Sequence, residues 1–185
     1  GDALLTRLQA EGRNSPADIL ITSDAGRLVR AEDAGVLLAG TSPELEAAVP
    51  AHLRSPQGYW YGLSVRARAL VYNLADVNPD TLSTYEALAQ PQWRGRICVR
   101  SSSNIYNQSL VASMLATQGA AKTAVWLDGL VANFARPPQG GDRDQIKAVA
   151  AGLCDVAIVN SYYLAGMMTS NNEAERTAAS KVGIF

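Results

Sequence analysis

Cys154-Asp155-Val156-Ala157-Ile158-Val159-Asn160-Ser161-Tyr162-Tyr163 is the stretch from which the fold is read. Its centre is a short, largely β-branched apolar run. Gly152 stops a helical pattern before it, and polar residues follow it. A run of that length between turn signals reads as a buried strand. Upstream, Gly140-Gly141-Asp142-Arg143-Asp144-Gln145 opens the preceding helix, with Asp142 and Gln145 at capping-box spacing and Asp in place of the usual Ser or Thr. Further back, Gly95–Arg100 reads as a second strand. Ser101 to Asn104 supply helix caps, Val111, Met114 and Leu115 continue a helical stripe, and Ala120 to Leu130 form another helix. An extended connection, Phe134 to Pro138, leads into the glycine pair. Strands alternate with helices, and that alternation predicts an α/β protein with largely parallel sheets.

The same pattern holds toward the amino end. Residues 2–12 read as a helix ending at Gly12, Asp18 to Thr22 as a short strand, and Asp24 as the cap of a helix that stops near Gly35. Tyr59 to Tyr72 is long, aromatic-rich and strand-like, beyond the usual strand of about 5 or 6 residues. A strand of that length can run from one lobe into another. Thr81 to Leu88 reads as a short helix and residues 169–176 as polar and exposed. The chain opens inside or just before a helix and closes on Lys181-Val182-Gly183-Ile184-Phe185, the start of a strand, so it reads as the middle of a longer protein.

With 185 residues, 48% hydrophobic and 18% charged, the chain can bury a substantial core. The formal net charge is −1 and no basic run is present, which argues against nucleic acid and anionic membrane as partners. No stretch approaches the roughly 18 to 20 apolar residues that span a bilayer. The opening residues carry no signal-peptide pattern. Cys98 and Cys154 form no CxxC pair and have no nearby histidine, so zinc is a poor reading.

Spacing supplies a sharper argument. Cys98 precedes Tyr106 by eight residues, and Cys154 precedes Tyr162 by eight. If the two strands are parallel neighbours and level, the cysteines lie side by side at about 4.8 Å, within disulfide range. A disulfide implies an oxidising compartment. The tyrosines then meet beyond the carboxyl ends of the strands, where open α/β sheets bind ligands. A phenol has a pKa near about 10. It becomes a useful anion at neutral pH only beside a strong cation. Three phenolates balance the charge of Fe(III), an ion that prefers oxygen donors. Tyr59, Tyr61, Tyr72 and Tyr85 read as packing residues.

Four segments together carry a family resemblance. They are residues 17–27 (Ala17-Asp18-Ile19-Leu20-Ile21-Thr22-Ser23-Asp24-Ala25-Gly26-Arg27), 93–110 (Trp93-Arg94-Gly95 through Ser109-Leu110), 140–146 and 154–164. They resemble periplasmic ferric-ion-binding proteins, the type II periplasmic solute-binding components of iron ABC transporters. The resemblance implies a two-lobed α/β architecture with crossing hinge strands, residues 1–66 being a partial first lobe and 67–185 the second lobe with the tyrosines. The Tyr61–Tyr72 segment is the expected first crossing. The resemblance also implies Tyr106, Tyr162 and Tyr163 as ligands of Fe(III) in an interlobe cleft, with carbonate or another small anion as a synergistic ligand. A monomer delivering iron to an inner-membrane permease is implied as well. The expected N-terminal strand, with its further His or Tyr ligand, and the C-terminal helices do not match anything here, and His52 does not stand in for the missing ligand. Arg66 and Arg68 share one face of the expected strand. Alternation does not choose between them, and Arg66 is the preferred anion-binding candidate.

Two other readings stay open. A protein of the same fold can bind an organic cation or an oxyanion instead. An enzyme has less support: no GxSxG elbow, Walker loop or HExxH motif occurs. Asp142, Asp144 and Asp155 are explained by capping and solvation.

Overall fold

The computed structural model describes residues 2–185; the first residue of the expected 1–66 lobe lies outside them. The chain divides into two compact units, Gly1–Val65 and Arg66–Phe185.

The first unit contains helices α1 (Asp2–Glu11), α2 (Ala25–Asp33) and α3 (Pro43–Ala48). The Asp24 carboxylate accepts from the Gly26 amide and caps α2, and the Ser42 hydroxyl does the same for α3 at Leu45. Gly35, at φ 65°, supplies the left-handed turn after α2. Glu32 on α2 accepts from the Trp60 indole at 2.8 Å and from Ser55 at 3.3 Å, tying the helix to the Arg54–Tyr61 bridge. The expected Asp18–Thr22 strand does not form: among the described residues it pairs with no other strand, and Ile19 and Ile21 are 79% and 77% exposed. A strand is stabilised by its ladder and its buried face, and this segment has neither. His52 is exposed.

The second unit is built on β1 (Arg68–Asn73), β2 (Ile97–Cys98), α4 (Ile105–Ala132), α5 (Asp142–Ala150), β3 (Val156–Asn160), α6 (Ser161–Met168), α7 (Glu173–Ala179) and β4 (Val182–Ile184). The sheet order is β2-β3-β1-β4. Only β2 and β3 run parallel; β1 is antiparallel to both β3 and β4, so the sheet is mixed rather than largely parallel. The expected long strand is likewise shorter. Pairing starts at Arg68, opposite Asn160, because beyond Asn160 the partner chain turns into α6. Alternation along the strands feeds two cores, one on each face. Leu70, Tyr72, Ile97, Val156 and Ile158 join Met114, Trp126 and Leu130 of α4 on one side. Val71, Cys98, Ala157 and Val159 join Ile146 and Val149 of α5, Met167 of α6 and Ala179 of α7 on the other.

Three local expectations are corrected. The Thr81–Leu88 helix is replaced by two short 3-10 turns, Pro79–Thr81 and Glu86–Ala89. Residues 169–176 are not uniformly exposed: Glu175 on α7 is buried, 2.6 Å from Arg143 and 3.6 Å from Lys147. The cap of α5 lies one residue earlier than the Asp142/Gln145 pairing requires: Asp144 accepts from the Gly141 amide at 2.7 Å, and Gln145 is buried and donates to Gln139 O. Asp142 is thereby free to face inward. Gly119, at φ 82°, interrupts α4 and separates the two helical stripes.

Candidate functional site

Cys98 and Cys154 are joined by a disulfide with a Cα separation of 5.9 Å. The strands that carry them are parallel neighbours but not level as the equal spacing supposes. Cys98 stands opposite Ala157, three residues beyond Cys154. The tyrosines nevertheless meet, because the two strands leave the sheet differently. β3 passes directly into α6, whereas the chain after β2 makes the Val99–Asn104 turn before α4 begins. That turn takes up the offset. The Asn104 side chain accepts from the Tyr106 amide at 3.0 Å and fixes the start of α4.

Tyr106 and Tyr162 thus both sit in the first turn of a helix, at the carboxyl edge of the parallel strands. The Tyr162 hydroxyl donates to the Tyr106 hydroxyl at 3.3 Å and accepts from the side-chain NH2 of Asn160 at 3.3 Å. Tyr163 packs beside Tyr162 with ring centroids 4.5 Å apart. The two neighbours differ in ionisation. Burial opposes ionisation of Tyr162, but hydrogen bonding with Tyr106, Asn160, Tyr163 and Arg66, which the phenolate would accept, outweighs it and holds this phenol below its ordinary pKa. Burial, reinforced by the hydrogen bond to Tyr162, pushes Tyr163 up to about 12.

Three guanidiniums surround the phenols. Arg66 is exposed and lies 5.9 Å from the Tyr106 ring centroid and 5.8 Å from that of Tyr162. Arg68 and Arg100 face Tyr106 at 5.9 and 5.5 Å, cation–π distances. The structure separates Arg66 from Arg68, which strand alternation left equivalent. Arg68 is largely buried and bonded to Asp142 at 2.8 Å, to Asn160 at 3.1 Å and to Asn107. Burial lowers the Arg68 pKa, opposed by Asp142. Arg66 keeps its polar edge available to solvent.

Arg100, Asn107, Asn160 and Asp142 were not singled out from the sequence as parts of this site. Asn107 donates to Arg100 O at 2.8 Å while accepting from Arg68. Asp142 bonds both Arg68 and Arg100 and accepts from the Asn160 amide. One signal was present: Gly141 and Asp144 fit the capping spacing as well as Asp142 and Gln145 do, and that choice releases Asp142. Among the described residues no group of three or more His, Cys, Asp or Glu is placed to hold a metal. The donors gathered at this edge are phenols.

A helix-flanked sheet with a polar cluster at the carboxyl edge of its parallel strands defines an α/β ligand-binding lobe. The chain belongs to the bacterial extracellular solute-binding protein family, which matches residues 14–178. Iron uptake protein A2 of Synechocystis sp. is 53% identical over 184 residues, covering 100% of this chain and 53% of that protein. The Fe(3+)-binding periplasmic protein of Serratia marcescens is 32% identical over 165 residues, covering 88% and 48% respectively. The solved structure of Trichodesmium FutA (IdiA) in complex with iron and citrate matches with a TM-score of 0.96 at 52% identity, covering 100% of this chain and 58% of that one. This chain spans about half the length of the curated relatives it matches.

Proposed function

We propose that Tyr106, Tyr162 and Tyr163 bind ferric iron as phenolates, within a periplasmic solute-binding protein that works as a monomer and hands the ion to an inner-membrane ABC permease. The observation that carries this reading is the convergence of Tyr162 on Tyr106, hydroxyl to hydroxyl at 3.3 Å, with the Tyr163 ring tilted against that of Tyr162. The three residues come from two strand-to-helix junctions 56 residues apart, Tyr106 from one and Tyr162 with Tyr163 from the other, and ordinary packing gives no reason for the polar ends of Tyr106 and Tyr162 to meet. The names and bound ligands of the relatives support iron as the cargo. Bound Fe(III) would lower the pKa of each phenol it touches, and the depressed pKa of Tyr162 makes it the first to release its proton. Arg66, beside two of the phenols and open to solvent, is the residue for a synergistic carbonate or other small anion. The role is capture and transfer of an ion, without catalysis.

The same guanidiniums also favour an oxyanion bound without metal, and one titration separates the two readings. Adding Fe(III) to the metal-free protein should produce a visible tyrosinate-to-iron absorption band, and bicarbonate alone should bind weakly. Tyr162→Phe and Tyr163→Phe should each lose more than about 100-fold in ferric affinity, the upper range for mutating a group that only supports a metal ligand. Parent-like binding by both variants would sink the assignment.

A further inference from the structure

Asp142 opens α5, yet it does not cap that helix, since Asp144 serves the Gly141 amide. Its side chain is fully buried, and its two oxygens are divided among three partners. Oδ2 accepts from Arg68 at 2.8 Å and from the Asn160 amide at 2.8 Å; Oδ1 accepts from Arg100 at 3.0 Å. One carboxylate thus joins the start of β1, the chain leaving β2 and the end of β3. The last of these leads two residues later to Tyr162. Both guanidiniums have a buried Nε without a hydrogen-bond partner and lie against the Tyr106 ring, so neither is in bulk water.

A guanidinium does not shed its charge in a protein. Without Asp142, Arg66, Arg68 and Arg100 would stand together beside three neutral phenols. An incoming trivalent cation would meet a positively charged wall; three phenolates balance the ion alone, and the charge of the guanidiniums would be left for an anion from solution to offset. Asp142 supplies that anion from within the chain, already desolvated and fixed when the protein folds. Arg66 is the cation that the carboxylate does not reach.

We propose that Asp142 is a positioning residue for cation capture: the built-in counter-anion that neutralises Arg68 and Arg100 beside the tyrosine cluster and so reduces the need for a free anion. The proposal rests on the ferric reading above. The test uses Asp142→Asn, which keeps shape and removes charge, and Asp142→Asn/Arg100→Gln, which removes one cation with it. Ferric affinity is followed by tyrosinate-to-iron absorbance, in carbonate-free buffer and with bicarbonate added. The parent, in which only Arg66 is left for an added anion, should gain less from bicarbonate than Asp142→Asn does. Asp142→Asn should weaken by at least about tenfold without carbonate, a typical coupling between sites, and recover most of that loss with bicarbonate. The double variant should bind better than the single variant without carbonate. Should the single variant fail to fold, the double variant set against Arg100→Gln decides: a small bicarbonate response in both supports the proposal, and a large unrescued loss in the double variant alone overturns it. Equal affinity of Asp142→Asn and parent in carbonate-free buffer overturns it, as does a loss that neither bicarbonate nor the second substitution relieves. If the parent itself develops no absorption band, the ferric reading fails, and that result is distinct from either of these.

Discussion

Tyr162 and Tyr163 are adjacent in sequence and opposite in acidity. Tyr162 gains several hydrogen-bonding partners at its oxygen and ionises below the ordinary phenol range. Tyr163 lies against the second core and ionises only near about 12. The sign of the stability effect follows. Between about pH 10 and 12 the unfolded chain ionises Tyr163 more readily than the folded one does, so this residue progressively destabilises the fold over that window. Tyr162 acts the other way: its depressed pKa adds stability that is full above the ordinary phenol pKa and lost as pH falls through its folded value. A phenolate absorbance titration of metal-free protein should therefore lose an early step in Tyr162→Phe and part of its late ionisation in Tyr163→Phe, the late remainder including Tyr85, which burial also raises. An unchanged first step in Tyr162→Phe would contradict this account of the pair.

At the scale of elements, the site depends on how closely α4 lies on its neighbours. Gly129 of α4 packs against the Glu86–Ala89 turn, where an added Cβ would come within 2.8 Å of both the Ala89 Cβ and its carbonyl oxygen. The Trp126 indole donates to Tyr85 O at 2.7 Å beside this contact, and the Tyr85 hydroxyl donates to Arg68 O. Gly129→Ala adds helix propensity, worth about 1 kcal/mol, but the clash involves backbone and cannot be relieved by a side-chain rotation. A net loss of about 1–3 kcal/mol is expected in denaturant unfolding, the usual cost of overpacking. A stabilised variant would show that α4 can slide away from the turn. Helices α1, α2, α4 and α5 were legible from caps and periodicity, with Gly119 marking the break between the two stripes of α4; α3, α6 and α7, at six to eight residues, are too short to show a period and were not. The strands were less so. Asp18–Thr22 and the upstream half of Tyr59–Tyr72 have strand-like composition, yet a strand exists only where a partner lies alongside, and composition does not report the partner.

In the whole molecule, both hydrophobic clusters belong to the second unit, and the Cys98–Cys154 disulfide cross-links that unit over a separation of 56 residues. Closing a loop of this size in the unfolded chain stabilises the fold by about 2–4 kcal/mol. The Cys98→Ala/Cys154→Ala protein should lose that amount in chemical denaturation, while parent and variant should unfold alike once the parent is reduced. An undiminished variant would assign the stability to the sheet and its two cores alone. By itself the sequence determined the α/β class and the limits of the longer helices, and it singled out three tyrosines as ligand candidates, because periodicity, caps and a motif of residue types are local properties. It also brought Cys98 and Cys154 into consideration together, but through a level register that the sheet does not have. The tertiary structure decided that register, the antiparallel placement of β1 and the length of turn that brings Tyr106 back to Tyr162. It alone placed Asp142 between Arg68 and Arg100, because a buried charge is defined by partners that lie 74 and 42 residues away along the chain.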